Sequence, residues 1–507
     1  MSNRTLGQVL QSTIASNGNR TAIVEGECSW NWHDFGMRTA KAATYLDALG
    51  LTTGDRFIIV AQNSRRLEEL RWAGFLTGII PVPINWRLAP PEIKHILEDT
   101  EGRIIFADED FLNFFDNPLL SSWRDGVQTL SHDYDDHIDE MIPAEPTPCE
   151  PDDDAILYYT GGTTGRSKGV RLSHWNIISC GLAYGFGVGA RSTDTFLHVA
   201  PMFHSADLLA MAWFINGSCH SYLPRFTPGD FLEAITNYKV TTTVTVPSML
   251  MATITYPDFA KADFSSLRML IYGASPMAFE WIQRVAQAFP DVEFVNCYGL
   301  TETSPDLTIF NAEAFRRAIE SGDRKGSVLS VGKPNVLIDL RVVDQKGEDV
   351  PAGQIGELWA RGPNVMKGYL NLPDETTGAL SDGWLHTGDI ARIDDEGYVY
   401  LLDRLKDMII TGGENVYSSE VEAALHQHPA VSEAAVIGVA DEILGEALFA
   451  VIVLRENMVV DEMELIEHCR PLIGGYKIPR NYAFVEVLPK SALGKPLKGE
   501  LRKTFGT

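Results

Sequence analysis

Basic charge is scarce in this chain. Its 507 residues hold 42 lysines and arginines against 68 aspartates and glutamates, a net charge of −26. A phosphate backbone rewards a positive surface, so nucleic acid is excluded as a main partner, and any anionic ligand must be met by a few placed cations. Long apolar runs are also missing: none approaches the roughly 18–20 residues that span a bilayer, so an integral membrane protein is not expected. The six cysteines (28, 149, 180, 219, 297 and 469) include no CxxC pair, which argues against a zinc site or a disulfide framework. The opening MSNRTLGQVL lacks a charged and then apolar leader pattern. A reducing, cytoplasmic location is the expectation.

What is present is a 45% hydrophobic composition and a length that suits about two to four domains. RFIIVAQN (56–63) reads as a buried strand followed by an apolar-periodic helix from Arg65 to about Thr77. Further strands are expected at 102–109, 155–160, 195–201, 267–275 and 292–298, with helical patterns between several of them, such as 278–288. That alternation predicts an α/β fold with helices covering sheets. Ligands in such folds gather beyond the C-terminal ends of strands. After about residue 330 the pattern shifts to short strands and turns. After Arg404 a compact α+β unit of about 100 residues is expected, on the helix and strand patterns from Ser418 to Ile473. The acidic stretch 133–154, interspersed with prolines, reads as a solvated surface excursion.

The stretch YYTGGTTGRSKG (158–169) follows an apolar strand and combines glycines, threonines and a lysine. Glycines let backbone N–H groups approach an anion, hydroxyls add donors, and lysine adds a point charge. The composition indicates a polyphosphate. A Walker loop is excluded, because Gly165 and Lys168 are separated by two residues and Gly169 follows the lysine. Five other segments offer chemistry. YGLTET (298–303) carries Glu302, a carboxylate suited to magnesium beside phosphate. WLHTGD (384–389) supplies Asp389, an acceptor for a ribose diol. DRLKDMIITGGE (403–414), LPKSALGKPLKGELR (488–502) and PMFHSAD (201–207) contribute Arg404, Lys406, Lys495 and His204. Taken singly, each also fits a turn, a salt bridge or an exposed lysine.

Taken in order, they resemble the acyl-adenylate-forming superfamily of acyl- and aryl-CoA synthetases, luciferases and adenylation domains, in its CoA-ligase branch. That family's YTSGTTGxPKG loop is matched by Tyr159–Gly169, with Gly161 for the serine and Ser167 for the proline. YGxTE is matched by Tyr298, Gly299, Thr301 and Glu302, and TGD by Thr387–Asp389. GRxKDxIxxGGE is matched by 404–414 with Asp403 at its first glycine, and GKxxK by Gly494, Lys495 and Lys498.

The resemblance implies a large N-terminal domain (1–403), a hinge at 404–406 centred on Lys406, and a small mobile lid (407–507). It implies an ATP-dependent ligase that forms an acyl-AMP and then a CoA thioester, with ATP, Mg2+ and CoA as cofactor and substrates. Thr160, Gly162, Thr163, Thr164, Gly165 and Lys168 would cradle the β- and γ-phosphates. Glu302 would hold the metal and Thr301 would meet the α-phosphate. Tyr298 would stack on adenine, with Gly273, Ala274, Ser275, Asn296 and Gly299 near its rim. Asp389 and Arg404 would take the ribose, and Lys495 would bridge carboxylate and α-phosphate oxygens. Gly412 and Gly413 would let the pantetheine arm pass, and His204 would line the acid pocket.

Gly299, where acetate-specific relatives carry tryptophan, is expected to leave that pocket open to an aryl or medium-chain acid. Partners are then a small carboxylic acid, ATP and CoA, with room for a homodimer. A carrier-protein loading enzyme and a luciferase-like oxygenase stay open as alternatives.

Overall fold

The computed structural model describes residues 4–145, 147–160, 167–275, 277, 279–322, 327–411, 414–441, 444–490 and 495–506. They divide into two compact units, 1–339 with 360–385 and 340–359 with 386–507.

In the first unit the larger sheet has a parallel centre. Cys219–Tyr222, Thr195–His198, Thr242–Thr245, Met269–Gly273 and Glu293–Tyr298 run side by side in that order. The antiparallel strand Thr308–Phe310 flanks Glu293–Tyr298. A smaller parallel sheet holds Ile80–Pro83, Arg56–Val60, Ile104–Ala107 and Val127–Thr129. Parallel strands need covered faces, and the sequence supplies the cover. The helix Arg65–Thr77 starts where Ser64 Oγ accepts from Leu67 N (3.3 Å) and stops at Gly78, whose φ of 68° only glycine adopts cheaply. Apart from the half-buried Arg66 it is buried along its length, packing Leu67, Leu70, Trp72 and Phe75 into the core. The expected strands at 56, 102, 155, 195, 267 and 292 all form; the one at 155 gains a residue at its start and the others are trimmed by one to three residues at an end.

The acidic stretch departs from expectation. His132–Glu140 is a helix that buries Tyr134 and Ile138, and Asp135 accepts from Arg38, Arg65 and Arg66 at 2.6, 2.8 and 2.7 Å. The acid is recruited by three arginines distant in sequence, which a local reading of charge does not see.

The second unit has two sheets. One takes in Asp339–Val343, Ile355–Arg361, Trp384–Ile393 and Val399–Arg404. The other is built on the long antiparallel pair Val431–Asp441 and Gly445–Leu454, with Ile409–Thr411, Glu414–Val416 and Asn481–Phe484 beside it. Helices Ser418–His426 and Glu462–Cys469 seal it over Val421, Leu425, Val436, Leu448, Ile452 and Leu465. No helix among the described residues is long and apolar enough to cross a membrane.

Candidate active site

Thr160 and Lys168 face each other across an antiparallel hairpin formed by Asp154–Thr160 and Lys168–Ser173. The glycine-rich segment therefore joins two antiparallel strands, whereas a Walker loop opens a helix. Gly162, Thr163, Thr164 and Gly165 lie outside the described residues. The hairpin is extended by a two-residue strand, Gly368–Tyr369, with Tyr369 opposite Val170. Tyr369 was not singled out in the sequence, yet it joins two predicted site residues. The Lys168 ammonium stands 4.9 Å from its ring centroid, and its phenol donates to Glu302 Oε1 at 2.9 Å. A cation over an aromatic face is attracted to the ring.

Glu302 lies in a short turn, Thr301–Thr303, beyond the strand Glu293–Tyr298. Met366 N donates to its carbonyl oxygen (2.8 Å), which ties the turn to the Gly368–Tyr369 segment. Thr301 is buried, and its hydroxyl lies 2.8 Å from Ser205 Oγ. Ser205 follows His204, whose Nδ1 accepts from Ala206 N at 3.3 Å and caps the turn. That turn is pinned from below by Asp207, which meets His198 Nδ1 at 2.6 Å and Arg71 at 2.9 Å. Burial works to raise the Asp207 carboxyl, but His198 and Arg71 outweigh it and hold it below the usual range.

The predicted adenine rim also assembles. Tyr272 and Gly273 pair in register with Asn296 and Cys297, so Ala274–Ser275 and Tyr298–Gly299 leave neighbouring parallel strands at the same end. Ser275 N folds back to Gly273 O (2.9 Å), and Ala274 is left-handed at φ 68°. Ser304 is left-handed too, at φ 63°. Such non-glycine positions cost of order 1–3 kcal/mol and gather at functional sites.

Gly299 corrects an expectation. A Cβ there would lie 1.8 Å from Pro305 O and 2.8 Å from the Asp306 Cα. Its space is filled by backbone, so glycine serves close chain approach and the acid's size is not read from it. Beneath the same turn, Asp306 is buried, accepts from Asn335 Nδ2 (2.6 Å) and lines a small cavity with Cys180 and Asn364. Burial lifts its carboxyl to about 8, against the pull of the Asn335 hydrogen bond.

In the second unit Asp389 and Arg404 lie directly opposite on paired strands, joined at 2.7 Å, with the carboxylate buried. Arg404 also reaches Thr387 O (3.4 Å). Lys406 sits in an exposed turn where Asp407 N and Met408 N both donate to Arg404 O. Solvent reaches Lys495, yet protein packed round its ammonium, with the Arg404 guanidinium next, depresses its pKa while Asp389 works the other way. Lys498, the second lysine of that motif, is committed elsewhere: it pairs with Glu422 at 2.7 Å and donates to Ser418. Asp403 accepts from Ser418 Oγ (2.6 Å) and its N–H at the start of the helix that follows. Gly412 and Gly413 lie outside the described residues.

The donor set fits a nucleoside triphosphate with a hard divalent cation. Glu302 spends one carboxylate oxygen on Tyr369 and retains acceptor capacity on the other, which magnesium takes together with phosphate oxygens. Lys168 makes no ion pair among the described residues.

The hairpin lysine beside a carboxylate in the first unit fits a nucleotide-dependent enzyme. The comparisons make that specific. The model of the AMP-binding enzyme family matches residues 10–370, and that of its C-terminal domain matches 420–495. The chain belongs to this family. It is 34% identical to a feruloyl-CoA synthase of an Amycolatopsis species over all of both chains. It is 33% identical to a fatty acid–[acyl-carrier-protein] ligase of Streptomyces coeruleorubidus, over 92% of this chain and 89% of that one. The o-succinylbenzoate CoA synthetase of Bacillus subtilis, solved with its acyl-adenylate intermediate, superposes with a TM-score of 0.86 at 28% identity, covering 99% of each chain. The α/β fold with a large N-terminal and a small C-terminal domain is that of adenylate-forming enzymes. The protein is an AMP-forming acid–CoA ligase that uses ATP, Mg2+ and CoA.

Proposed function

We propose that this ligase activates an aryl carboxylic acid, and that the residues assembled above divide the work as follows. The observation that carries the assignment is the convergence of Lys168 and Glu302 on Tyr369. Lys168 and the Thr160 hydroxyl bind the β- and γ-phosphates. Glu302 holds magnesium, which when bound offsets phosphate charge. Thr301, fixed by Ser205, faces the α-phosphate. Tyr298 stacks on adenine beside Ala274 and Ser275, with Asn296 near the rim, and Asp389 with Arg404 takes the ribose hydroxyls. His204 borders the acid.

The substrate carboxylate is already a nucleophile, so the first step needs no general base. It needs two anions brought together, which positioning and preorganised cations achieve. A carboxylate oxygen attacks the α-phosphorus, pyrophosphate leaves, and Lys495 offsets charge on both partners. The CoA thiol then attacks the acyl carbonyl, AMP leaves, and the thiol proton goes to solvent. Lys406, in its exposed turn, serves as the hinge between a domain of residues 1–403 and a lid of residues 407–507, and Gly412–Gly413 admit the pantetheine arm. Hinges absorb backbone change at a few terminal positions such as this one. Six free cysteines suit the cytoplasm.

The aryl assignment is supported by the full-length match to a feruloyl-CoA synthase. A second reading, an aliphatic acid loaded on a carrier protein, is favoured by the acyl-carrier-protein ligase among the relatives. ATP–pyrophosphate exchange across aryl and fatty acids, repeated with CoA and with a phosphopantetheinyl carrier protein, separates them. Exchange with aryl acids and ester formation on CoA is expected. Exchange confined to fatty acids, or thioester on the carrier alone, would overturn the assignment.

A further inference from the structure

We propose that Tyr369 is a positioning residue for both phosphate-binding groups, aiming the Glu302 carboxylate at the divalent cation and the Lys168 ammonium at the phosphates. The inference deepens the reading of Glu302 as metal ligand and rests on it. Tyr369 cannot swing freely, because its backbone is fixed on several sides. Its N–H donates to Thr376 Oγ1 (2.9 Å), Leu370 N donates to Gly169 O (2.8 Å), and Lys367 N donates to Arg171 O (3.0 Å). The preceding Gly368 has φ 142° and packs on Thr376, where a Cβ would come within 2.5 Å of the threonine methyl. The segment is thus clamped to the strand that begins with Lys168, and through Met366 N to the carbonyl of Glu302 itself.

From that fixed point the side chain performs two separable tasks. The phenol oxygen donates to Glu302 Oε1 and selects one carboxylate orientation, leaving the other oxygen directed elsewhere. The ring face holds the lysine ammonium through its quadrupole without consuming its charge. A carboxylate partner here would neutralise Lys168, and an aliphatic residue would leave it loose. Hydrogen bonds to a metal-ligating carboxylate characteristically set metal affinity, and their loss costs about 10–100-fold.

Conservative variants divide the two tasks. Magnesium is titrated calorimetrically into the full-length enzyme loaded with α,β-methylene-ATP, and binding of the analogue is measured separately in EDTA. Tyr369→Phe keeps the ring and loses the hydroxyl. It is expected to weaken Mg2+ binding about tenfold while analogue affinity in EDTA stays at the wild-type value. Tyr369→Leu loses both, and is expected to weaken analogue binding in EDTA severalfold as well. Glu302→Gln is the reference. If Glu302→Gln weakens Mg2+ binding and Tyr369→Phe does not, the positioning role is wrong. If Glu302→Gln leaves Mg2+ affinity unchanged, the metal-ligand reading falls and this proposal falls with it. Equal effects of Phe and Leu in EDTA would overturn the ring's hold on Lys168.

Discussion

Two sets of charges in the first unit obey opposite rules. Around the helix Arg65–Thr77 the charges are largely buried and pair with one another. Arg71, 1% exposed, holds Glu68 at 2.6 Å, Asp207 at 2.9 Å and the Tyr158 hydroxyl at 3.3 Å. Glu68, His198 and Asp207 lie close enough to ligate a cation, but Arg71 already pairs with both carboxylates. At the hairpin, by contrast, Lys168 is held by an aromatic face and Glu302 by a neutral phenol. Neither contact sets an opposite charge against the group it orients. Burial therefore separates charge that shapes the molecule from charge kept for a ligand. Arg71 and Asp207 link the two sets mechanically, since Asp207 anchors the turn that carries His204 and Ser205.

The sharpest break between charge for chemistry and charge for structure is expected at Lys495. Lys495→Ala should lower adenylation by about two to three orders of magnitude, the scale of losing one preorganised partner of a developing charge. Thioester formation from supplied acyl-AMP should survive. Lys406→Pro should do the reverse, with pyrophosphate released and no CoA ester made. Pyrophosphate and thioester assays on both variants read this directly, and equal loss of both half-reactions in either would remove its assignment.

Arg71→Met tests the other side of the comparison. It strands Glu68 in the core without its cation and leaves Asp207 with His198 alone, and loss of one partner of a buried pair costs about 3–5 kcal/mol. Urea unfolding should show that loss, whereas Lys168→Met should stay within about 0.5 kcal/mol of wild type and raise the ATP KM instead. Similar stability losses for the two would erase the distinction between them.

How much of this was legible in the sequence depends on the range of the physics involved. Strands and helices of the α/β alternation are set by local periodicity, so Arg56–Val60 and Arg65–Thr77 were readable from their own residues. Asp389 and Arg404, read from separate motifs, fall opposite each other on one strand pair. What stayed hidden depended on residues far apart. A two-residue strand carries no period, so Tyr369 gave no signal although it joins positions 168 and 302. Asp135 looked solvated because its arginines arrive from positions 38, 65 and 66. Gly299 looked like an open pocket because the backbone that fills its space belongs to a turn six residues on.

The smallest effect concerns a buried acid that stands alone between these two sets. Among the described residues Asp306 has one side-chain amide donor, Asn335, and no cation partner, so burial keeps its carboxyl protonated to about pH 8. In the unfolded chain the same group ionises near 4. Between those values the folded state holds a proton that the unfolded state has released. Stability from this site is full below about pH 4 and declines by about 1.4 kcal/mol per pH unit until the folded group ionises. Asp306→Asn keeps the shape and cannot ionise. Urea unfolding at pH 6 and 7 should therefore show a shallower decline for the variant, by about 1.4 kcal/mol over that unit, and a more stable protein at pH 7. Parallel pH profiles for wild type and variant would mean that Asp306 is ionised in the fold, and that a counter-charge reaches it as one reaches Asp207.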